Sequence, residues 1–308
     1  MVMSFTTFKD RIWSVFDGGT RRIAAAPKPI QDVGYGLITG VLNGAYYLPG
    51  APLRAIASDL VAVLGSGTAR QYHRDFSARF MLSLRRMEAL RLGQTEKIDG
   101  LLQIPELDRL DALSGQGGII MVMPHCHASV LVARGLAARY PTLLLVRETK
   151  NEARAEAQRS FYRKLGCDYL DVRRNNEVTV ARTVLGALRQ GKIVIGVVDR
   201  IRNAPRGGAE FSKSDDTVRT RTFGQSVGAV GWPARFAVKC RVPILPVTVE
   251  QTDAAMILHL GDAITGGDLV PTTQSWMTAI EALILRFPKD WLFVYDKHWA
   301  RVLKTARG

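Results

Sequence analysis

The stretch MPHCHASV, Met123 to Val130, holds two of the chain's five histidines, His125 and His127, on either side of Cys126. It follows the apolar run GIIMV, so the imidazoles fall at the end of a predicted strand. Two histidines one residue apart face one metal only on an extended strand. The chain offers neither H-x-x-x-H nor a Cys pair to complete a zinc site, so no metal is expected. Cys126 between two imidazoles would be an activated thiolate. Neighbours on a strand, however, point to opposite faces and would part it from His125. What remains is a single general base at a strand end, or two polar residues that close a strand.

Two further polar pairs occupy similar places. Arg147-Glu148 ends the run TLLLVRE, and Asp199-Arg200 ends KIVIGVVDR. A guanidinium suits a phosphate or carboxylate, and a carboxylate can orient an imidazole.

These residues need a frame that gathers strand ends. From about Gly117 short apolar runs alternate with helical patterns. GIIMVMP, TLLLVRE, CDYLDV, KIVIGVVD and PILPVTVE read as strands. ASVLVARGLAARY, ARAEAQRSFYRKLG, NEVTVARTVLGALRQG and GAVGWPARFAVKC read as helices. The alternation predicts an α/β fold with a mostly parallel central sheet flanked by helices, whose sites lie beyond the carboxyl ends of its strands. Between Arg200 and Thr222 runs a polar connection with six basic and three acidic residues and Gly207-Gly208. It is long for such a loop and is expected to be functional or irregular.

The first part of the chain reads differently, as a helical region over 1–95 ahead of an α/β domain over 96–308. From Val33 to Leu53 no residue is charged. Pro49 and Pro52 limit a helix there to Val33–Leu48, about 24 Å at about 1.5 Å per residue, against a hydrocarbon core of about 30 Å. The 33–53 segment therefore predicts a membrane-associated anchor, shallowly inserted or lying in the interface, helped by Phe5, Phe8, Trp13 and Phe16. The other reading is a Gly-rich helix packed in a soluble core. Gly36, Gly40 and Gly44 form a small-residue ridge that would let a second helix approach. Arg21, Arg22 and Lys28 upstream favour a cytosolic N-terminus. Next, Tyr72, Phe76, Phe80, Leu84, Met87 and Leu90 recur at helical steps, with Arg74, Arg79, Arg85 and Arg86 on the expected outer face and Gly93 as the stop.

Composition narrows the partners. The 308 residues are 47% hydrophobic with a formal charge of +14. That favours an anionic membrane surface, an acidic carrier protein or a phosphorylated substrate. No helix-turn-helix, RNP-type or zinc motif is present, so no nucleic acid is expected. Three scattered cysteines predict no disulfide framework. No signal-peptide pattern opens the chain, and no G-x-S-x-G elbow marks a hydrolase.

Read in order from Leu82 to Leu303, five segments resemble the lysophospholipid acyltransferase superfamily, in its lipid A biosynthesis (lauroyl/myristoyl) acyltransferase branch. They are MPHCHASV, LVRETKNEAR, LRQGKIVIGVVDR, RTFGQSVGAVGWPARFAVKCRVPILPV and RFPKDWLFVYDKHWARV. The resemblance implies a membrane-associated O-acyltransferase at the cytosolic face of the inner membrane. It would move a fatty acyl chain from acyl carrier protein or acyl-CoA, as co-substrate and without a cofactor, to a hydroxyl of a glycolipid or lysophospholipid. His125 would be the general base and His127 the second choice, an imidazole with an ordinary pKa of about 6.5 suiting that task. Arg147, Glu148 and Arg200 would bind substrate. The family's pattern sets an acid five residues after the histidine, where this chain has Val130 after His125 and Val132 after His127. Asp199, Glu148 or a backbone carbonyl would have to hold the imidazole instead. Without one, the chain would be a non-catalytic lipid- or carrier-binding relative.

Overall fold

The computed structural model describes residues 5–205, 211–212 and 216–307, with side chains from residue 15 onward except at 211–212. Phe5, Phe8, Trp13 and Gly207-Gly208 thus lie outside what can be said of side chains or of that connection.

Four helices come first: α1 (Phe5–Ala25), α2 (Lys28–Ala45), α3 (Pro52–Leu64) and α4 (Ala69–Arg91). Their boundaries follow local chemistry. Pro27 and Pro29 open α2, earlier than Val33, and Pro52 opens α3. Gly65 in a left-handed conformation ends α3, and the Thr68 hydroxyl caps the Gln71 N–H of α4. The body follows as β1 (Leu102–Gln103), α5 (Leu107–Gly115), β2 (Ile119–Met123), α6 (Ser129–Ala137), β3 (Thr142–Val146), α7 (Glu152–Arg163), β4 (Asp168–Asp171), α8 (Glu177–Arg189) and β5 (Ile193–Val197). Then come β6 (Arg202–Asn203), β7 (Phe211–Ser212), β8 (Thr217–Thr222), β9 (Gln225–Val230), α9 (Trp232–Cys240), β10 (Ile244–Gln251), β11 (Met256–Leu260), α10 (Leu269–Arg286) and α11 (Lys297–Ala306).

The main sheet has the order β1-β11-β10-β2-β5-β3-β4 and is parallel except where β10 meets β11. Its central strands β2, β3 and β5 are near-continuous apolar runs because helices cover both faces. One face packs against α4, α6 and α7 around Leu90, Leu131 and Phe161. The other packs against α8, α9 and α10 around Val184, Ala237 and Trp276, and this second cluster also takes in Leu60 of α3 and Trp299 of α11.

The polar connection is not all loop. β6, β7, β8 and β9 pair antiparallel in a second sheet, with Phe223-Gly224 as a two-residue hairpin turn, both at positive φ. Gly228-Ala229-Val230, read from sequence as the start of a helix, is the end of β9. A Cβ at Gly228 would meet Thr217 Cγ2 at 2.3 Å and the Asn203 carbonyl oxygen at 2.7 Å, so close strand contact selects glycine there. The helix waits for Trp232-Pro233.

On α2 one face carries Tyr35, Ile38 and Leu42 into a small core with Leu84 of α4. The opposite face leaves Ile30, Val33, Leu37 and Val41 exposed. A Cβ at Gly36, Gly40 or Gly44 would meet nothing within 4 Å, so among the described residues the expected small-residue ridge receives no helix. Close approach occurs instead at Gly34, against Ile23. Among the described residues no helix is long and apolar enough to cross a membrane.

Arg86 departs from its expected place on the outer face of α4. It is buried, and its guanidinium donates to Gln251 Oε1 at 3.2 Å and to the carbonyls of Thr252 at 2.7 Å, Asp253 at 3.3 Å and Ala255 at 3.4 Å. It thereby ties α4 to the β10–β11 hairpin. Replacing it takes the charged donor from the buried Gln251 side chain and unties four hydrogen bonds between α4 and the hairpin. Arg86→Leu should lower stability by about 2–4 kcal/mol, read as a fall in the urea midpoint at constant slope.

Candidate active site

The register of the sheet builds the centre. β2 and β5 are adjacent and parallel, with Met123 opposite Val197. Each strand then runs two residues further, so His125 and Asp199 arrive side by side beyond the carboxyl edge. His125 Nδ1 hydrogen-bonds Asp199 Oδ1. The acid missing from the residues after His125 is therefore supplied from β5. Asp199 is fully buried, and its other carboxylate oxygen accepts the Trp291 indole N–H at 2.8 Å. Its backbone carbonyl accepts the Trp299 indole N–H at 2.7 Å. A buried carboxylate needs such donors.

The segment Trp291 to Tyr295 is a short helical turn that passes directly over the histidine. The Leu292 N–H donates to the His125 carbonyl at 2.6 Å. The Phe293 ring lies on the imidazole, centroids 3.5 Å apart and planes 6° apart. With Nδ1 held by Asp199 and the ring plane held by Phe293, Nε2 is left free to take a proton. His125 lines a cavity of about 680 Å³.

The neighbours part from it. Cys126 points to the opposite side, its Sγ 3.2 Å from Thr248 Oγ1, and burial pushes its thiol up to about 12. It is a packed core residue rather than a thiolate. His127 sits between Phe76 and Phe80, ring centroids 4.6 and 5.8 Å away, and burial lowers its pKa to about 3. It thus stays neutral, and the two imidazoles share no ligand position. Among the described residues no three His, Cys, Asp or Glu side chains converge on a metal position.

Glu148 is likewise elsewhere. Its carboxylate accepts from Arg159 and Arg174, each at 2.9 Å, so it does not hold His125. Arg147 and Arg200 are exposed and stand at the cavity with Arg173 and Arg202. Partial desolvation at the cavity, and then repulsion from Arg173, Arg200 and Arg202, pushes the Arg147 guanidinium below its ordinary pKa. Four cations around one opening ask for an anion. Helix α6 contributes only Ser129 and Val130 to the cavity, because Leu131, Val132 and Leu136 turn into the core.

A family model for bacterial lipid A biosynthesis acyltransferases matches residues 74–299, from the second turn of α4 to Trp299. The chain belongs to that family. No curated protein gives a significant match. The matched span contains the His125–Asp199 pair, the arginines of the opening and the aromatic turn, and the family's chemistry is acyl transfer to a lipid acceptor. Three residues of this centre had no role assigned from sequence: Trp291, Phe293 and Trp299. The signal was present, since RFPKDWLFVYDKHWARV carries five aromatic residues besides its histidine in a polar setting.

Behind His127 lies a titrating group of a different kind. The Asp290 carbonyl accepts the His127 N–H, and its carboxylate accepts the Gln251 N–H, both at 3.1 Å. Burial raises this carboxyl from 3.8 to about 7, against the Gln251 bond, Arg79 and Lys289, with Glu250 adding to the rise. The folded protein then binds the proton more tightly than the unfolded chain. Stability should fall as pH rises from about 4 to about 7 and level off above. Asp290→Asn should flatten that part of the curve, measured as melting temperature against pH.

Proposed function

We propose that the protein is a membrane-associated O-acyltransferase. It takes a fatty acyl chain from the thioester of acyl carrier protein or acyl-CoA and places it on a hydroxyl of a glycolipid or lysophospholipid. The observation that carries this reading is the His125–Asp199 pair at the edge of a largely apolar cavity whose opening is ringed by arginines.

Nε2 of His125 removes the acceptor hydroxyl proton as that oxygen attacks the thioester carbonyl. The tetrahedral intermediate collapses, the C–S bond breaks, and the thiolate takes the proton back from the imidazolium. Ester and free thiol result, and the enzyme is unchanged. Asp199 keeps Nδ1 protonated and stabilises the imidazolium, the role a buried carboxylate plays behind a catalytic histidine. Arg147, Arg173, Arg200 and Arg202 suit the phosphate of the pantetheine arm that both donors share, or a phosphate on the acceptor. The non-catalytic alternative rested on the missing acid, and Asp199 removes its motive.

The reading is tested by acyl transfer from labelled acyl carrier protein or acyl-CoA to total membrane lipid. His125→Ala and Asp199→Asn should each lower the rate about a hundredfold or more, while Cys126→Ala leaves transfer in place. Undiminished product formation by His125→Ala would refute the general base.

We further propose that the protein works at the cytosolic face of the inner membrane, with α2 lying in the interface. Ile30, Val33, Leu37 and Val41 form an exposed apolar stripe, extended by Tyr47 and Leu48. Lys28 stands at one end of it and Arg70, over the Tyr47 ring, at the other. Leu37→Glu with Val41→Glu should weaken binding to anionic vesicles about tenfold per side chain, measured by co-sedimentation.

A further inference from the structure

The cavity beside His125 has walls on both faces of the sheet, because successive strand residues point to opposite sides. Leu144 and Val146 of β3 face the α6–α7 side, while Leu145 and, on β5, Gly196 face α8 and α9. On this second side the strand has no side chain at Gly196. A Cβ there would meet Trp232 Cζ2 at 2.4 Å and Cη2 at 2.8 Å, so the benzo ring of the indole fills the place a side chain would take.

Trp232 is held rigidly in that place. It is the first residue of α9 and Pro233 follows it. Phe236, one turn on, lies against it with ring centroids 6.1 Å apart. Before it, Gly231 has no room for a side chain, since a Cβ would meet Val218 Cγ2 at 2.9 Å. The indole is half-buried and lines the cavity, facing a space also lined by Val180 and Val184 of α8. The arginines stand at the opening, and the α8–α9 arm is apolar along Leu145, Val184, Val230 and Phe236. A flexible end wall would yield to extra methylenes. One seated against backbone discriminates by length, at about tenfold or more per methylene.

We propose that Trp232, seated on Gly196, is the end wall of the acyl-chain arm and sets the longest chain the protein accepts. This rests on the acyltransferase reading above, and the test separates the two. Wild type, Trp232→Ala and Val180→Phe are assayed on a donor series that grows by two methylenes at a time. Circular dichroism confirms folding, and Val180→Phe decides alone if the tryptophan variant does not fold. Trp232→Ala should move the optimum to longer donors, raising the long-to-short ratio of kcat/KM about tenfold or more. Val180→Phe should move it to shorter ones. Active variants with the wild-type length profile would overturn the wall and leave the transferase standing. Wild type that transfers no member of the series would overturn the transferase. The wall is then decided by displacement of a fluorescent fatty acid with free fatty acids of the same lengths, and identical length preference in every folded variant would overturn it.

Discussion

Asp199 is the point on which the catalytic edge depends. It has no solvent exposure, and a carboxylate so placed is tolerable only if hydrogen-bond donors reach it. They come from three directions: His125 from β2, Trp291 from the turn after α10, and Trp299, through the backbone carbonyl, from α11. Satisfying one buried group therefore fixes the position of the imidazole, the aromatic turn and the C-terminal helix together. Trp291 and Trp299 also meet edge to face, 4.9 Å apart, and Phe223 from the hairpin turn packs on both. The second sheet is thereby anchored to the same centre.

Much of this frame was legible in the sequence because it is written in periodicity. Apolar runs of five residues between helical patterns gave the α/β class, and the strand ends gave His125, Arg147 and Asp199 as residues of one edge. The pairing of His125 with Asp199 was legible only as one of three candidates, beside Glu148 and a backbone carbonyl. Seventy-four residues separate them, and they meet because β5 inserts between β2 and β3, an order no local pattern encodes. Gly228-Ala229-Val230 misled for a related reason. Small residues lack strand propensity, and the pairing of β9 with β8 overrides it.

Arg86 and Glu148 show the same limit for charge. Spacing set Arg86 on a basic face, yet the helix turns it inward to the oxygen acceptors of a hairpin more than 160 residues away. Glu148 follows Arg147 directly, and the strand's alternation sends the two to opposite sides. Arg147 reaches the opening, and Glu148 reaches Arg159 and Arg174. Adjacent charges on a strand end thus do different work, which neither residue type nor composition reveals.

The aromatic turn joins the two parts of the chain. Tyr295 hydrogen-bonds His73 Nδ1 at 3.2 Å, and His73 Nε2 lies 3.1 Å from the Leu42 carbonyl near the end of α2. His73 also stacks on Tyr46, just beyond that helix. Two residues before Tyr295, Phe293 covers the imidazole of His125. A run of packed and hydrogen-bonded groups therefore leads from the helix with the exposed apolar stripe to the ring plane of the proposed base. Both ends of the run are geometrically demanding. A change in how α2 is seated would have to be absorbed at His73 or passed to the turn, and the tight packing of Phe76 against Tyr295, 4.8 Å edge to face, leaves little room for the first. On this geometry, where the α2 stripe rests and how His125 is aimed are properties of one packed unit.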